Sequence, residues 1–267
     1  KIRSKGSIGD AAFKNCYKSQ TELTIDFVQG QNRFSSIQKE AFINSGIKKI
    51  TLPEMETIGP NAFENCTQLC TSSTCGSLNA ETISGSAFKD NKKLLLTTIS
   101  AKTISSSAFE NCHALSPTSI TIKPEGSIEG SAFAYCGAIE KLILEEIEEN
   151  GLATTDKHEL DPRSIGPKAF YRSGLKGALT IPFTLTEIGK EAFAHTQLET
   201  LTITPSDTVE LILKIQEKAF YHTNIEALEL PHSVGYVGKY CFAFSKIKTL
   251  TIKGTNLEFK LTKTVEV

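Results

Sequence analysis

The chain has almost no surplus charge: 29 Lys and Arg stand against 30 Asp and Glu, a formal net charge of -1 over 267 residues. A sequence so balanced builds no basic field for phosphate backbones or anionic lipid, so nucleic acid and membrane surfaces are not expected partners. No apolar run approaches the roughly 20 residues of a membrane helix, and no charged segment followed by an apolar one opens the chain. The chain starts at Lys1 rather than Met, and it is read as a mature or excised segment, with any signal peptide, anchor or neighbouring domain outside it. An even cysteine count is also lacking. Seven Cys cannot all pair within one chain, which leaves the redox compartment open. Catalytic signatures are absent as well: there is no G-x-S-x-G elbow, H-E-x-x-H, phosphate-binding loop or dinucleotide-binding glycine pattern. The five histidines, His113, His158, His195, His222 and His232, are scattered. An enzyme needs a convergent set of groups, so neither catalysis nor a cofactor or metal is expected.

What is present is a repeat. Ala-Phe, or Cys-Phe in the last copy, recurs with Phe at 13, 42, 63, 88, 109, 133, 170, 193, 220 and 242. The unit is roughly 21 to 25 residues, the length of a leucine-rich repeat. Five residues before each Phe stands Ile, from Ile8 to Ile215, or Val237 in the last copy. In five copies the next residue is Gly (Gly9, Gly59, Gly166, Gly189, Gly238), where a missing Cβ permits a tight bend. The segment Ile-Gly-x-x-Ala-Phe is therefore expected to be a turn leading into a short helical or 3-10 stretch, with Ile and Phe inward. Strand-like runs of the form L-x-x-L-x-L follow, as in Leu198 to Ile203 and Ile247 to Ile252. Their last two apolar positions alternate with an exposed one, the period of a half-buried strand, and Pro often closes them. A unit this small cannot bury its own apolar face, so neighbours must stack, with one strand per repeat in a single parallel sheet.

Cys16, Cys66, Cys112 and Cys136 each lie three residues after the Phe and are expected to behave as small buried apolar residues. Cys70 and Cys75 lie off this position in a Ser/Thr-rich insertion. Their spacing allows a local disulfide; a metal site with Cys66 has less support, because no His lies near. His195 and His222 share one position in neighbouring repeats, where they are either two surface residues or a metal-binding or pH-sensitive pair.

The unit resembles the BspA-like leucine-rich repeat family, whose consensus reads roughly L-x-x-L-x-L-P-x-x-L-x-x-I-G-x-x-A-F-x-x-C-x-x-L. Ile47 to Phe63, IKKITLPEMETIGPNAF, continuing to Cys66 and Leu69, follows it almost position by position. The resemblance covers nearly the whole chain. Ser45, Asn91, Ser173, Thr196, Thr223 and Ser245 depart from it by replacing the consensus Cys, and the strand is ill defined at Leu94 to Ser100 and between Leu69 and Leu78. The implied fold is an α/β repeat: a right-handed solenoid with a parallel sheet on its concave face and short helical or 3-10 turns on its convex face.

Residues 1–267 are read as one solenoid of about ten repeats, with insertions near 26–36, 145–163 and 204–214. The middle insertion is acidic, and a solvated charged loop is its expected role. Thr255 to Val267 alternates apolar residues and is expected to be a closing strand. The exposed strand positions form the candidate partner-binding face: Lys49, Thr51, Thr121, Lys141, Thr180, Thr200, Thr202, Glu229, Thr249 and Thr251. The family resemblance implies a secreted or cell-surface adhesion protein that binds a protein or glycan, host extracellular matrix included. The alternative is a rigid spacer presenting a domain outside this segment. The oligomeric state is not legible.

Overall fold

A computed structural model describes residues 7–17, 22–24, 34–72, 75–144, 163–205, 211–253 and 258–259. The acidic side chains of the middle insertion, at 145–161, lie outside them, as does most of the expected closing strand; its residues Glu258 and Phe259 form a two-residue strand parallel to Val234–Val237.

The chain winds into stacked coils, each with three runs. The first is the expected L-x-x-L-x-L strand, seen as β10 (Lys176–Ile181), β12 (Gln197–Ile203), β14 (Ala227–Leu230) and β16 (Thr249–Ile252), which pair in parallel in that order. The second is a strand ending on the Ile or Val of the motif, such as β11 (Leu185–Ile188), β13 (Leu213–Ile215) and β15 (Val234–Val237). The third is a turn segment that carries Ala-Phe. One strand per repeat was therefore an undercount. The second run makes the longer sheet, ten strands in a path with Leu142–Leu144 of the first run as an eleventh beside it, whereas the rest of the first run is divided among separate pairings. In three coils the two runs merge into one strand: β5 (Ser77–Ile83), β6 (Thr98–Ile104) and β7 (Ser119–Ile128). Leu78, Ile99 and Ile120 align at one end of these strands, and Ile83, Ile104 and Ile128 at the other. The repeats whose strands are ill defined in sequence thus contain continuous seven-residue strands, with no Pro at the corner of β5 or β6.

The turn segments are not helical; among the described residues there is no α- or 3-10 helix. Two residues in every coil, at Phe-2 and Phe+2, have positive φ, as at Asn61 (56°) and Asn65 (53°) around Phe63. A helix cannot pass through such residues. Each Phe amide instead donates to the next coil, from Phe13 to the Ala41 carbonyl through Phe220 to the Cys241 carbonyl, at 2.7–2.9 Å. The turn edge is therefore a hydrogen-bonded column of its own, which leaves no coil-to-coil gap in backbone pairing.

The core is a phenylalanine stack. Ten rings, from Phe13 to Phe242, follow one another at centroid spacings of 4.9–5.4 Å and within 12° of parallel. The seven from Phe63 to Phe220 are fully buried. Ala precedes nine of them; eight of these nine are fully buried, Ala12 in the first coil being exposed, and a larger side chain would separate the coils. The Gly after the Ile answers to the same close approach. A Cβ on Gly59 would lie 2.7 Å from the Ile37 carbonyl oxygen, and one on Gly189 2.5 Å from the Pro167 nitrogen. The reason is contact with the preceding coil, not the tight bend expected; Gly9, in the first coil, has nothing within 4 Å of its would-be Cβ.

The position three residues after Phe is buried at Cys66, Cys112 and Cys136, as expected, and it is also a donor position. The Cys66, Cys112 and Cys136 thiols donate to the Phe42, Phe88 and Phe109 carbonyls at 2.9–3.1 Å. Asn91 Nδ2 donates to both Phe63 and Phe88, and Thr196, Thr223 and Ser245 donate to their own coil's Phe carbonyl. Asn91, Thr196, Thr223 and Ser245 thus keep a bond to a Phe carbonyl in place of the family Cys, whereas Ser45 Oγ lies 3.5 Å from Cys66 Sγ and Ser173 Oγ is buried without a hydrogen-bond partner. Cys16, in the first coil, is exposed.

Two stability tests follow from this packing. Phe109→Ala, Phe133→Ala or Phe193→Ala should cost about 3–5 kcal/mol each in denaturant unfolding, whereas Phe13→Ala, at a ring already 40% exposed, should cost clearly less. Gly59→Ala should cost about 1–3 kcal/mol through coil displacement, while Gly9→Ala should be close to neutral.

Candidate binding surfaces

The strand face places most of the expected residues in register. Lys49, flanking buried Ile50, is half-buried and Thr51 exposed on β3 (Lys49–Thr51), which pairs with β1 (Glu22–Thr24). Thr121, half-buried, lies opposite Ile143 of β8 (Leu142–Leu144), with exposed Lys141 just before that strand. The other six lie together on the four-stranded sheet. Thr180 is beside Thr202, Thr200 and Thr249 flank Ala227, and Glu229 is beside Thr251. All six are exposed, with Leu179, Leu201, Leu228 and Leu230 buried between them. The ten residues therefore form one compact group of six and two smaller outlying groups. A shallow open depression of about 390 Å³, lined by Glu199, Thr200, Asn224, Glu226, Ala227 and Lys246, adjoins the main group.

The turn edge carries a second surface that sequence reasoning missed. In the first five coils the Phe+2 residue is Asn15, Asn44, Asn65, Asp90 and Asn111, all with positive φ, which Asn and Asp tolerate. Asn44 donates to Asn15 at 3.2 Å, Asn65 to Asn44 at 2.8 Å and Asn111 to Asp90 at 2.8 Å. In the next five the same position holds Tyr135, Arg172, His195, His222 and Phe244, joined by Tyr171 and Tyr221 at Phe+1. The signal was available: rings cluster immediately after the Ala-Phe pair only from the sixth copy onward.

His195 and His222 do meet, with ring centroids 5.2 Å apart. No group of three or more His, Cys, Asp or Glu with metal-holding geometry exists among the described residues. Burial first, then the neighbouring His222 and Arg172, push the His195 imidazole below the usual histidine range, with Glu191 opposing them. The same penalty on the charged form acts in the opposite direction on the buried thiols. Desolvation raises Cys66 to about 11 and holds Cys112, Cys136 and Cys241 well above the ordinary thiol range. Cys70 and Cys75 form a disulfide, the first of the two roles their spacing allows. Arg163, where the chain returns from the acidic insertion, is buried and donates to the Ile122 and Lys123 carbonyls and to Thr184 Oγ1 at 2.9–3.3 Å. Its role was not legible, because its partners lie in other coils.

The model of the BspA type leucine-rich repeat region, in six copies, matches residues 3–116, 35–152 and 163–261. The chain belongs to this family. Three crystal structures of bacterial leucine-rich proteins are similar to it at low identity. A leucine-rich repeat protein from Bacteroides ovatus is 19% identical, with 91% of this chain and 69% of that one covered and a TM-score of 0.49. A leucine rich cell surface protein from Faecalibacterium prausnitzii is 18% identical, covering 94% and 83%, with a TM-score of 0.38. A leucine-rich repeat protein from Eubacterium ventriosum is 15% identical, covering 93% and 66%, with a TM-score of 0.42. No curated protein matches the sequence. The BspA-type match indicates no enzymatic family, and no helix among the described residues is long and apolar enough to cross a membrane.

Two solution measurements check the electrostatics. With the His195 pKa lowered on folding, the unfolded chain binds more protons than the folded one as pH falls through and below the usual histidine range, so this residue lowers stability on acidification. The drop in unfolding midpoint between pH 7.5 and 5 should be smaller in His195→Gln than in the parent. In the native protein iodoacetamide should modify exposed Cys16, while Cys66, Cys112, Cys136 and Cys241 should react only on unfolding.

Proposed function

We propose that this chain is a non-catalytic binding module of a secreted or cell-surface protein, and that it recognises a protein or glycan through its strand face. The observation that carries the reading is the compact group of Thr180, Thr200, Thr202, Glu229, Thr249 and Thr251, six exposed side chains set in register by parallel strand pairing. Lys49, Thr51, Thr121 and Lys141 extend the contact toward the amino terminus. Such a face works by summing weak contacts over several coils, because hydroxyls and short polar side chains add complementarity rather than single dominant anchors. Membership of a leucine-rich repeat family supports binding in general, and extracellular-matrix proteins and glycans of a host surface are the ligand class to test first.

A second reading, a rigid spacer, draws on one observation: the strand-face residues include no Phe, Tyr or Trp, the side chains that usually dominate tight interfaces. The two readings separate experimentally. The purified chain should bind at least one component of an array of matrix proteins and glycans, and the variant with Thr51, Thr180, Thr202 and Thr251 changed to Glu should lose that binding while keeping its unfolding midpoint. Binding undiminished in the variant would remove the strand face from the account, and silence across the array would favour the spacer.

A further inference from the structure

The turn edge of the last five coils carries a continuous ring strip. Tyr135 and Tyr171 meet edge to face at 5.6 Å, Tyr171 and His195 at 5.5 Å, His195 and Tyr221 at 5.5 Å, and Tyr221 and Phe244 at 5.2 Å. Phe244 is 58% exposed and Tyr135 41%, and the rings between them are half-buried, so one side of the strip faces solvent along its length. At the positive-φ position, which the first five coils give to Asn or Asp, the last five carry Tyr135, Arg172 and Phe244 beside His195 and His222; Tyr, Arg and Phe are poor occupants of that backbone region, whereas His tolerates it. Where three such residues break a local preference and two of the rings remain exposed, the side chain serves something other than the turn.

Cations accompany the rings. Lys168 and Arg172 stand 5.6 and 5.5 Å from the centre of the Tyr171 ring, Lys218 5.8 Å from that of Tyr221, and Lys239 4.8 Å from that of Tyr240. The acids among them are few: Glu191 lies 3.6 Å from Lys168, and Glu217 is paired with Lys190 at 3.1 Å. The strip is locally cationic on a chain whose net charge is -1.

The spacing selects the polymer. Rings recur once per coil, at the 5.1–5.4 Å step of the underlying Phe stack from Phe133 to Phe242. An extended polypeptide presents same-side residues about every 6.6 Å and drifts out of phase within a few coils. A pyranose with its glycosidic oxygen comes closer to one coil step; successive rings stand at 68–85° to one another, so its C–H face packs where a ring turns its face outward, while its acidic substituents reach the flanking cations. We propose that this strip binds a linear acidic polysaccharide, carboxylated or sulfated, laid along the solenoid axis.

This site does not depend on the strand face, and the Thr-to-Glu variant described above should leave it intact. The test is titration of the purified chain with heparin, with polyglutamate and an oligodeoxythymidine of similar length as controls. In the variant, Tyr135→Asn, His222→Asn and Phe244→Asn restore the residue that the amino-terminal turns use, so folding should hold, with the unfolding midpoint as the check. Heparin should bind the parent at least tenfold more tightly than either control, and the triple variant should lose tenfold or more of that affinity. A second variant, Arg172→Gln with Lys218→Gln, should flatten the salt dependence of heparin binding. Absence of heparin binding, equal affinity for polyglutamate or the oligonucleotide, or parental affinity in a folded triple variant would each overturn the proposal.

Discussion

Face-to-face stacking of phenylalanine rings at 4.9–5.4 Å sets the distance between coils, and that distance is close to the spacing of hydrogen-bonded strands. Because the two distances agree, backbone pairing and side-chain packing reinforce each other in every coil. A small residue, Ala or in the last copy Cys, precedes Phe, Gly or a tolerated substitute follows Ile, and a small side chain stands at Phe+3, in most coils donating to a Phe carbonyl. Each is a consequence of holding adjacent coils at one separation.

The same constraint shapes the outer surface. A side chain that points outward recurs at the coil step, so whatever chemistry it carries is presented as a row. The molecule has two such rows of different character. The strand face is short, polar and hydroxylated; the turn edge is amide-rich over the first five coils and aromatic with cations over the last five. Neither row affects the core beneath it, which is why their composition changes along the chain while the Phe stack continues.

Much of this was legible in sequence. The Ile and Phe positions, the alternation at Thr200 and Thr202, and the stacking of repeats all follow from local periodicity. Two features were misread because they depend on neighbouring coils. Ile-Gly-x-x-Ala-Phe looks like a turn before a short helix, but the Phe amide is taken by the next coil's Ala carbonyl, a partner 20 or more residues away. The second strand column escaped notice because METI or LTEI is too short to show strand periodicity; only pairing to its neighbours makes it a strand. The aromatic edge was visible as letters but not as a strip, since its continuity exists only once the coils are stacked.

The central claim is that the Ala-Phe turns form a coil-to-coil hydrogen-bonded column as regular as the strands. Amide hydrogen exchange resolved to single residues tests it most directly. The amides of Phe63, Phe88, Phe109, Phe133 and Phe170 should be protected to the same degree as those of Ile99 and Ile120 in the central strands. Exchange of the Phe amides at the rate of exposed loops, with the strand amides protected, would contradict it.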